Sequence, residues 1–227
     1  MSKTKSIMAL AVLAAFLIVP ETLMAQRGRG GRGGPTGPMG FFITNAGPGD
    51  GANLGGLDGA DAHCQSLAAA AGAGGRTWRA YLSQTGGLTV NARDRIGSGP
   101  WFNASGQLIA ANVDELHGDT QRDRNNIRKP TAIDENGNAV NGVGDQPNQH
   151  DILTGSDSRG MALLGNAATT TCNNWTSNDA GNAMVGHHDR LGGGNASWNA
   201  THMSAGCSQQ NLVQTGGNGL FYCFATD

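Results

Sequence analysis

Three short segments of a polar, glycine-rich chain carry a strand pattern. Residues 41–44 form an apolar run, FFIT, near the start. Residues 77–83 and 219–226 alternate side chains with a period of two, which is typical of strands with one buried face. Pairing of the first strand with the last would close one domain. It would also bring Cys223 near the segment that carries Cys64.

One segment between these strands has the period of a helix. Its apolar residues recur at three- and four-residue steps, which predicts a single buried stripe. We expect Asp58 to cap the first turn, and we expect the helix to end at Gly72–Gly75. The stripe comprises Leu57, Ala60, Cys64, Leu67, Ala68 and Ala71.

Most of the remaining chain is polar loop, and the tetrapeptide ENGN predicts a hairpin turn within it. Asn136 and Gly137 would supply the positive φ angles that a tight turn requires. The alternative is a calcium loop, since Asp134, Asn136 and Asn138 have D-x-N-x-N spacing. An alanine stands where an EF-hand loop needs glycine, and no flanking helices are evident, so the hairpin is favoured.

The chain starts with the pattern of a secretory signal peptide over residues 1–25. Lys3 and Lys5 precede an uncharged apolar run from Ile7 to Val19. A membrane anchor is the alternative, but this run is shorter than the roughly 20 residues that a spanning helix needs. We therefore predict a secreted protein, extracellular or periplasmic, without a membrane span.

Residues 26–40 are rich in glycine, arginine and proline and predict a flexible linker. A single domain then follows over residues 41–227. The whole chain has 15 basic and 17 acidic residues, and removal of the signal peptide leaves 13 and 16, a net charge of -3. This balance gives no reason to expect nucleic acid or an anionic membrane as a partner.

Four cysteines occur, at Cys64, Cys172, Cys207 and Cys223. An even set in an exported chain predicts two disulfides. The residues alone leave three connectivities open.

Several motifs resemble the C-type-lectin-like fold, and within it the endostatin domain of certain collagens. The resemblance implies an α+β fold with paired terminal strands, one or two helices and long loops. It also implies that Cys64 pairs with Cys223 and Cys172 with Cys207. The chain departs from that family in an inserted polar stretch, 119–150, and in lacking the His-rich start of the endostatin zinc site. The matching stretches are residues 57–66, 78–83, 153–160, 172–175, 205–207 and 221–224.

We find no enzyme motif in the sequence. There is no GxSxG elbow and no Walker loop, and paired cysteines would leave no thiol nucleophile. His187 and His188 precede Asp189, which suggests a metal or acid–base site. Adjacent residues on a strand point to opposite faces, however, so we expect surface histidines.

A calcium-dependent sugar site is the ligand hypothesis that the lectin resemblance raises. Such lectins use a Glu-Pro-Asn or Gln-Pro-Asp loop and a Trp-Asn-Asp stretch, and calcium prefers these oxygen donors. Here Gln146 and Asn148 flank a proline, and Trp198 precedes Asn199. Ala200 replaces the acidic ligand, so a polar loop beside a buried tryptophan is the alternative.

The four tryptophans divide into two pairs by their neighbours. Trp78 and Trp175 are predicted in the core, because few other side chains are large enough to fill it. Trp101 and Trp198 lie in polar, glycine-rich sequence and are the predicted surface residues, where an indole can stack on a sugar.

The sequence thus favours a non-enzymatic, lectin-like binding module that recognises glycan or an extracellular protein surface, with calcium as the one candidate cofactor. The alternative is a structural or matrix-interaction protein without a small ligand. An enzyme of the formylglycine-generating kind shares the broad fold but requires a reactive thiol pair.

Overall fold

The computed structural model describes residues 34–117, 125–192 and 196–227. These residues form a mixed α+β fold. The predicted signal peptide, residues 1–25, and the first part of the predicted linker, residues 26–33, lie outside the described residues. No helix among the described residues has the length and apolar character needed to cross a membrane. In chain order the elements are β1 (Phe41–Ile43), α1 (Gly56–Ala70), β2 (Trp78–Ala80), β3 (Trp101–Phe102), β4 (Leu108–Ala110), α2 (Val113–His117), β5 (Asp151–Leu153), α3 (Ala167–Thr170), α4 (Cys172–Trp175), β6 (Met184–His187), β7 (His202–Met203), α5 (Gln209–Gln214) and β8 (Gly217–Ala225).

The long last strand, β8, organises the main sheet. It pairs antiparallel with both β1 and β2, and Phe42 lies opposite Cys223. The predicted pairing of the first and last strands is therefore confirmed. Since β1 and β2 face the same residues of β8, they lie on its opposite edges. The first half of β8 pairs in parallel with β5, and the main path of the sheet is β1-β8-β5-β6-β7, with β2 off this path. Strands β3 and β4 form a separate hairpin.

Both faces of the paired terminal strands are buried. Phe42, Phe221 and Cys223 pack into one apolar cluster with α1. Their neighbours Phe41 and Tyr222 pack into a second cluster on the opposite face. The alternation in these strands thus separates two cores rather than a core from solvent. In β2 only Arg79 is exposed, and Tyr81, which follows the strand, is buried as well.

Helix α1 buries the predicted stripe, with Ala60, Cys64 and Ala68 inaccessible to solvent. Asp58 does not cap it, contrary to expectation. The chain enters the helix through Gly55, which has φ 75° and lacks a side-chain cap, so Asp58 lies inside the first turn. From there its charge faces the positive end of the helix dipole.

The buried carboxylate of Asp61 ties α1 to β2. It accepts hydrogen bonds from the Ala80 amide (2.9 Å) and from the guanidinium groups of Arg79 (2.6 Å) and Arg95 (2.7 Å). A buried charge is tolerated when it is paired and hydrogen-bonded in this way.

Two disulfides join Cys64 to Cys223 and Cys172 to Cys207. The pairing implied by the endostatin resemblance is therefore the pairing in the structure. The first bridge fixes α1 to β8 across 159 residues of sequence. The second begins in α4, whose four residues all have positive φ and form one left-handed turn.

The prediction that Trp101 and Trp198 lie at the surface is wrong. All four tryptophans are buried. The Trp101 indole donates a hydrogen bond to the Ala225 carbonyl (3.0 Å), and Trp198 packs against Tyr81, with ring centroids 4.9 Å apart. Polar sequence neighbours do not decide burial here, because strands from distant segments cover both rings.

The predicted linker extends too far toward the domain. The Gly40 amide donates to the Phe102 carbonyl (2.8 Å), and Met39 forms a bridge with the same residue. The compact unit spans Gly34–Asp227. Residues 36–40 are therefore part of the fold.

Candidate metal centre

Three neighbouring strands, β5, β6 and β7, bring one carboxylate and three imidazoles together. Antiparallel pairing places Asp151 directly opposite His187. On the next strand His202 lies opposite Val185, two residues from His187 and thus on the same face. His150 immediately precedes Asp151. The four side chains meet although their residues lie up to 52 positions apart in sequence, from 150 to 202.

The donor atoms of this cluster converge on Asp151 Oδ1. The Nε2 atoms of His150, His187 and His202 lie 3.2, 3.1 and 3.5 Å from it. The Nε2 atoms of His187 and His202 are 3.0 Å apart. The His150 and His187 rings stack with centroids 4.0 Å apart.

Most of the cluster is buried. The side chains of His150, Asp151 and His187 are 8%, 2% and 3% exposed, whereas that of His202 is 40% exposed. Both Asp151 oxygens are buried without a hydrogen-bond partner, although three imidazole nitrogens lie within 3.5 Å of Oδ1. A buried carboxylate in this state is costly unless a positive charge balances it.

The outer nitrogens of two rings fix which tautomer faces Asp151. His187 Nδ1 lies 2.7 Å from the Leu191 carbonyl oxygen, and His202 Nδ1 lies 3.0 Å from the Met203 carbonyl oxygen. A carbonyl only accepts, so both Nδ1 atoms donate. In the neutral rings both Nε2 atoms then carry lone pairs. Two lone pairs facing each other at 3.0 Å require a cation or a proton between them.

A second carboxylate, Asp189, supports the cluster from outside. Its Oδ1 lies 3.5 Å from His150 Nδ1. It also accepts hydrogen bonds from the backbone amides of Val143 (2.7 Å) and Leu191 (3.0 Å). Burial works against ionisation, but His150 and these amides outweigh burial and hold the pKa of Asp189 below its usual range. A carboxylate behind a histidine is the usual outer support of a metal-binding imidazole.

The distances between donors suit a single transition-metal ion. Ligands at about 2.0–2.1 Å from one ion lie about 2.9–3.4 Å apart when their angles are near 90–109°. Four of the six separations among the donors, 3.0 to 3.5 Å, are close to this spacing. Ligand atoms of His150, Asp151 and His187 all lie within 4.8 Å of one another. Imidazole and carboxylate donors suit zinc, copper, iron or nickel.

A proton is the alternative charge that could balance Asp151. Burial opposes a charged imidazole at His187, but the adjacent Asp151 carboxylate outweighs burial and raises the pKa of His187. A protonated His187 would then pair with Asp151. The two assignments, metal ion and proton, make opposite predictions with pH.

The sequence expectation of surface histidines at His187 and His188 is wrong, because both are buried. His187 faces the cluster. His188 points away, and its Nε2 donates to the Asn141 carbonyl (3.1 Å). Spacing within one segment could not reveal the site, since its donors come from three strands. The available signal was the repeated His-Asp pair, at 150–151 and 188–189.

The residues suggested for a calcium–sugar site serve other purposes. Asn199 is fully buried. Its amide donates to the Tyr81 hydroxyl (2.9 Å), and its Oδ1 accepts from the Ser197 hydroxyl (2.9 Å). Gln146 is exposed, while Asn148 Oδ1 accepts from the His150 amide (3.3 Å). Among the contacts of the described residues, none joins Asn148 to Asn199.

The second calcium candidate is a hairpin turn, as favoured from the sequence. An antiparallel bridge joins Ile133 to Ala139. Asp134 Oδ1 accepts from the amides of Asn136 (2.9 Å) and Asn138 (2.7 Å), so its carboxylate braces the turn. Of the two residues expected at positive φ, only Gly137 adopts it, at 83°.

No protein-family model matches this chain, and no curated protein matches it.

Proposed function

We propose that this protein is an exported, non-enzymatic binding module that holds one divalent transition-metal ion, with zinc as the leading candidate. The ligands are His150, Asp151, His187 and His202. One observation carries the proposal. The Asp151 carboxylate is buried without a hydrogen-bond partner, and three imidazole Nε2 atoms lie within 3.5 Å of it.

The donor set favours zinc over calcium. Calcium takes 6–8 oxygen ligands, roughly, and this cluster offers one carboxylate among three nitrogens. Zinc is bound by histidine and carboxylate in four-coordinate sites. Copper binds such a set more tightly in general, so the choice in the organism also depends on which metal is supplied.

The position of the cluster favours a structural role for the ion. Strands β5, β6 and β7 each contribute a donor, and β7 lies at the end of the sheet order. A bound ion would cross-link these strands and hold the loops that carry Val143 and Leu191. Two disulfides at other points of the fold support export, because such bridges persist in oxidising compartments.

Recognition of a macromolecule remains the wider role that we propose, on the resemblance to lectin-like and endostatin domains. The burial of Trp101, Trp198 and Asn199 removes three of the five residues suggested for sugar binding. Of the two ligand classes named in the leading hypothesis, a protein surface is therefore favoured over a glycan.

Metal content tests the proposal. The protein is stripped with a chelator, loaded with Zn²⁺, freed of excess metal and analysed by elemental mass spectrometry. We expect one zinc per chain, lost in Asp151→Asn and in His187→Gln. The matched control is His63→Gln, a histidine on α1 whose ring contacts the Ala46 carbonyl. Zinc retained in both ligand variants, or absent from the wild type, would overturn the proposal.

A further inference from the structure

The four donors of the metal centre differ in how deeply the fold buries them. His150 lies between Asp151 and the outer carboxylate of Asp189. His187 is anchored through Nδ1 to Leu191, four residues away. These two imidazoles and Asp151 form an inner set that the fold encloses, with side chains 8% exposed or less.

His202 is held differently. Among the described residues, its Nδ1 has one hydrogen-bond contact, with the carbonyl of the adjacent residue Met203 at 3.0 Å. Strand β7 is two residues long and pairs with β6 on one side. The His202 side chain is 40% exposed, against 8% or less for the inner set. Solvent therefore reaches the cluster from the His202 side.

We infer that the metal centre is open to exchange at the position of His202, where an imidazole from outside the chain, such as a histidine side chain of a partner, can replace His202 on the ion. This inference rests on the proposed metal binding. His150, Asp151 and His187 retain the ion as a two-histidine, one-carboxylate set. Sets of this composition are known to leave positions free for external ligands.

Exposed apolar side chains near the cluster favour an imidazole over a small inorganic anion as the external ligand. Val143 and Leu191 are 40% and 50% exposed, and both belong to the loops that hold Asp189. A Cβ built on Gly192 would lie 3.1 Å from His150 Cε1 and 3.5 Å from Val143 Cγ2. Val143 thus borders the His150 side of the site, and a ligand with carbon atoms beside its donor nitrogen can pack there.

The test uses Co²⁺ as a coloured substitute for zinc and free imidazole as the probe. His202→Ala is loaded with one equivalent of Co²⁺ and titrated with imidazole while the visible absorption is recorded. We expect the variant to keep cobalt, with a spectrum that differs from the wild type. Imidazole should return the spectrum to the wild-type form with saturation at one site.

Matched variants separate the possible failures. His187→Ala removes an inner donor and should neither keep cobalt nor recover it with imidazole. His202→Ser repeats the test with a different small residue, should His202→Ala fold poorly. A wild type without cobalt would refute the proposed metal binding. If the wild type binds cobalt but the His202 variants do not, or if those variants show no change in absorption with imidazole, only the open position is refuted.

Discussion

Replacement of Asp151 by asparagine separates a metal ion from a proton as the charge that balances this carboxylate. If a metal ion is bound, zinc at 100 times its dissociation constant stabilises the wild type by about 2.7 kcal/mol. For a domain of this size each kcal/mol raises Tm by about 2–4 °C, so the expected rise is about 5–11 °C. Asp151→Asn should show no such rise, because the central ligand is lost.

The chelator-treated proteins report on the proton. If a protonated His187 pairs with Asp151, removal of one partner of this buried pair costs about 3–5 kcal/mol. The raised pKa of His187 sets the direction with pH. A raised histidine pKa contributes stability that is fully present below the unfolded value, about 6.5, and is lost as pH rises through the folded value. The cost of Asp151→Asn without metal should then be largest in acid.

Zinc has the opposite dependence on pH. Imidazole binds metal only when neutral, so the zinc-induced rise in Tm should be larger near pH 7.5 than near about pH 5. Differential scanning calorimetry of both proteins, with zinc and with chelator at both pH values, measures all of these quantities. Two results together would refute the metal assignment in favour of the proton: a wild-type Tm that does not change with zinc, and a loss of stability in Asp151→Asn that grows toward acid pH.

Two further predictions concern buried polar residues outside the ligand set. Burial lowers the pKa of His188, so the unfolded chain takes up the proton first, and stability falls as pH drops below about 6.5. In His188→Gln, urea unfolding should depend less on pH between about 6.5 and 5; an unchanged slope would contradict this reasoning. Asn199→Ala removes donors to the buried Tyr81 hydroxyl and to the part-buried Asp157 carbonyl and should cost about 2–3 kcal/mol, equally with and without calcium. Wild-type stability in this variant would show that the network is dispensable.

The parts of the fold that could be predicted are those with a local signal. The stripe on α1 and the pairing of β1 with β8 follow from the spacing of apolar residues within single segments. The same spacing could not show that β8 would also pair with β5. That parallel pairing joins distant segments, and it carries Asp151 into the middle of the sheet.

The candidate site depends on this non-local strand order. His150 and Asp151 lie on β5 or just before it, His187 ends β6, and His202 begins β7. Neither the pair His187–His188 nor the single His202 has a recognisable metal-ligand spacing in the sequence. Only the order β5-β6-β7 makes them neighbours. Reasoning from spacing within one segment therefore assigned His187 to the surface.

The two His-Asp pairs illustrate how identical dipeptides take different roles in one site. In the pair at 150–151 the aspartate faces the imidazole donors, and His150 bridges outward. In the pair at 188–189 the histidine turns away to Asn141, and Asp189 supports His150 from behind. The inner carboxylate lacks hydrogen bonds, whereas the outer one accepts two from backbone amides. Charge balance alone does not explain why Asp189 accepts hydrogen bonds while Asp151 accepts none. A metal ion bound to Asp151 would explain this difference.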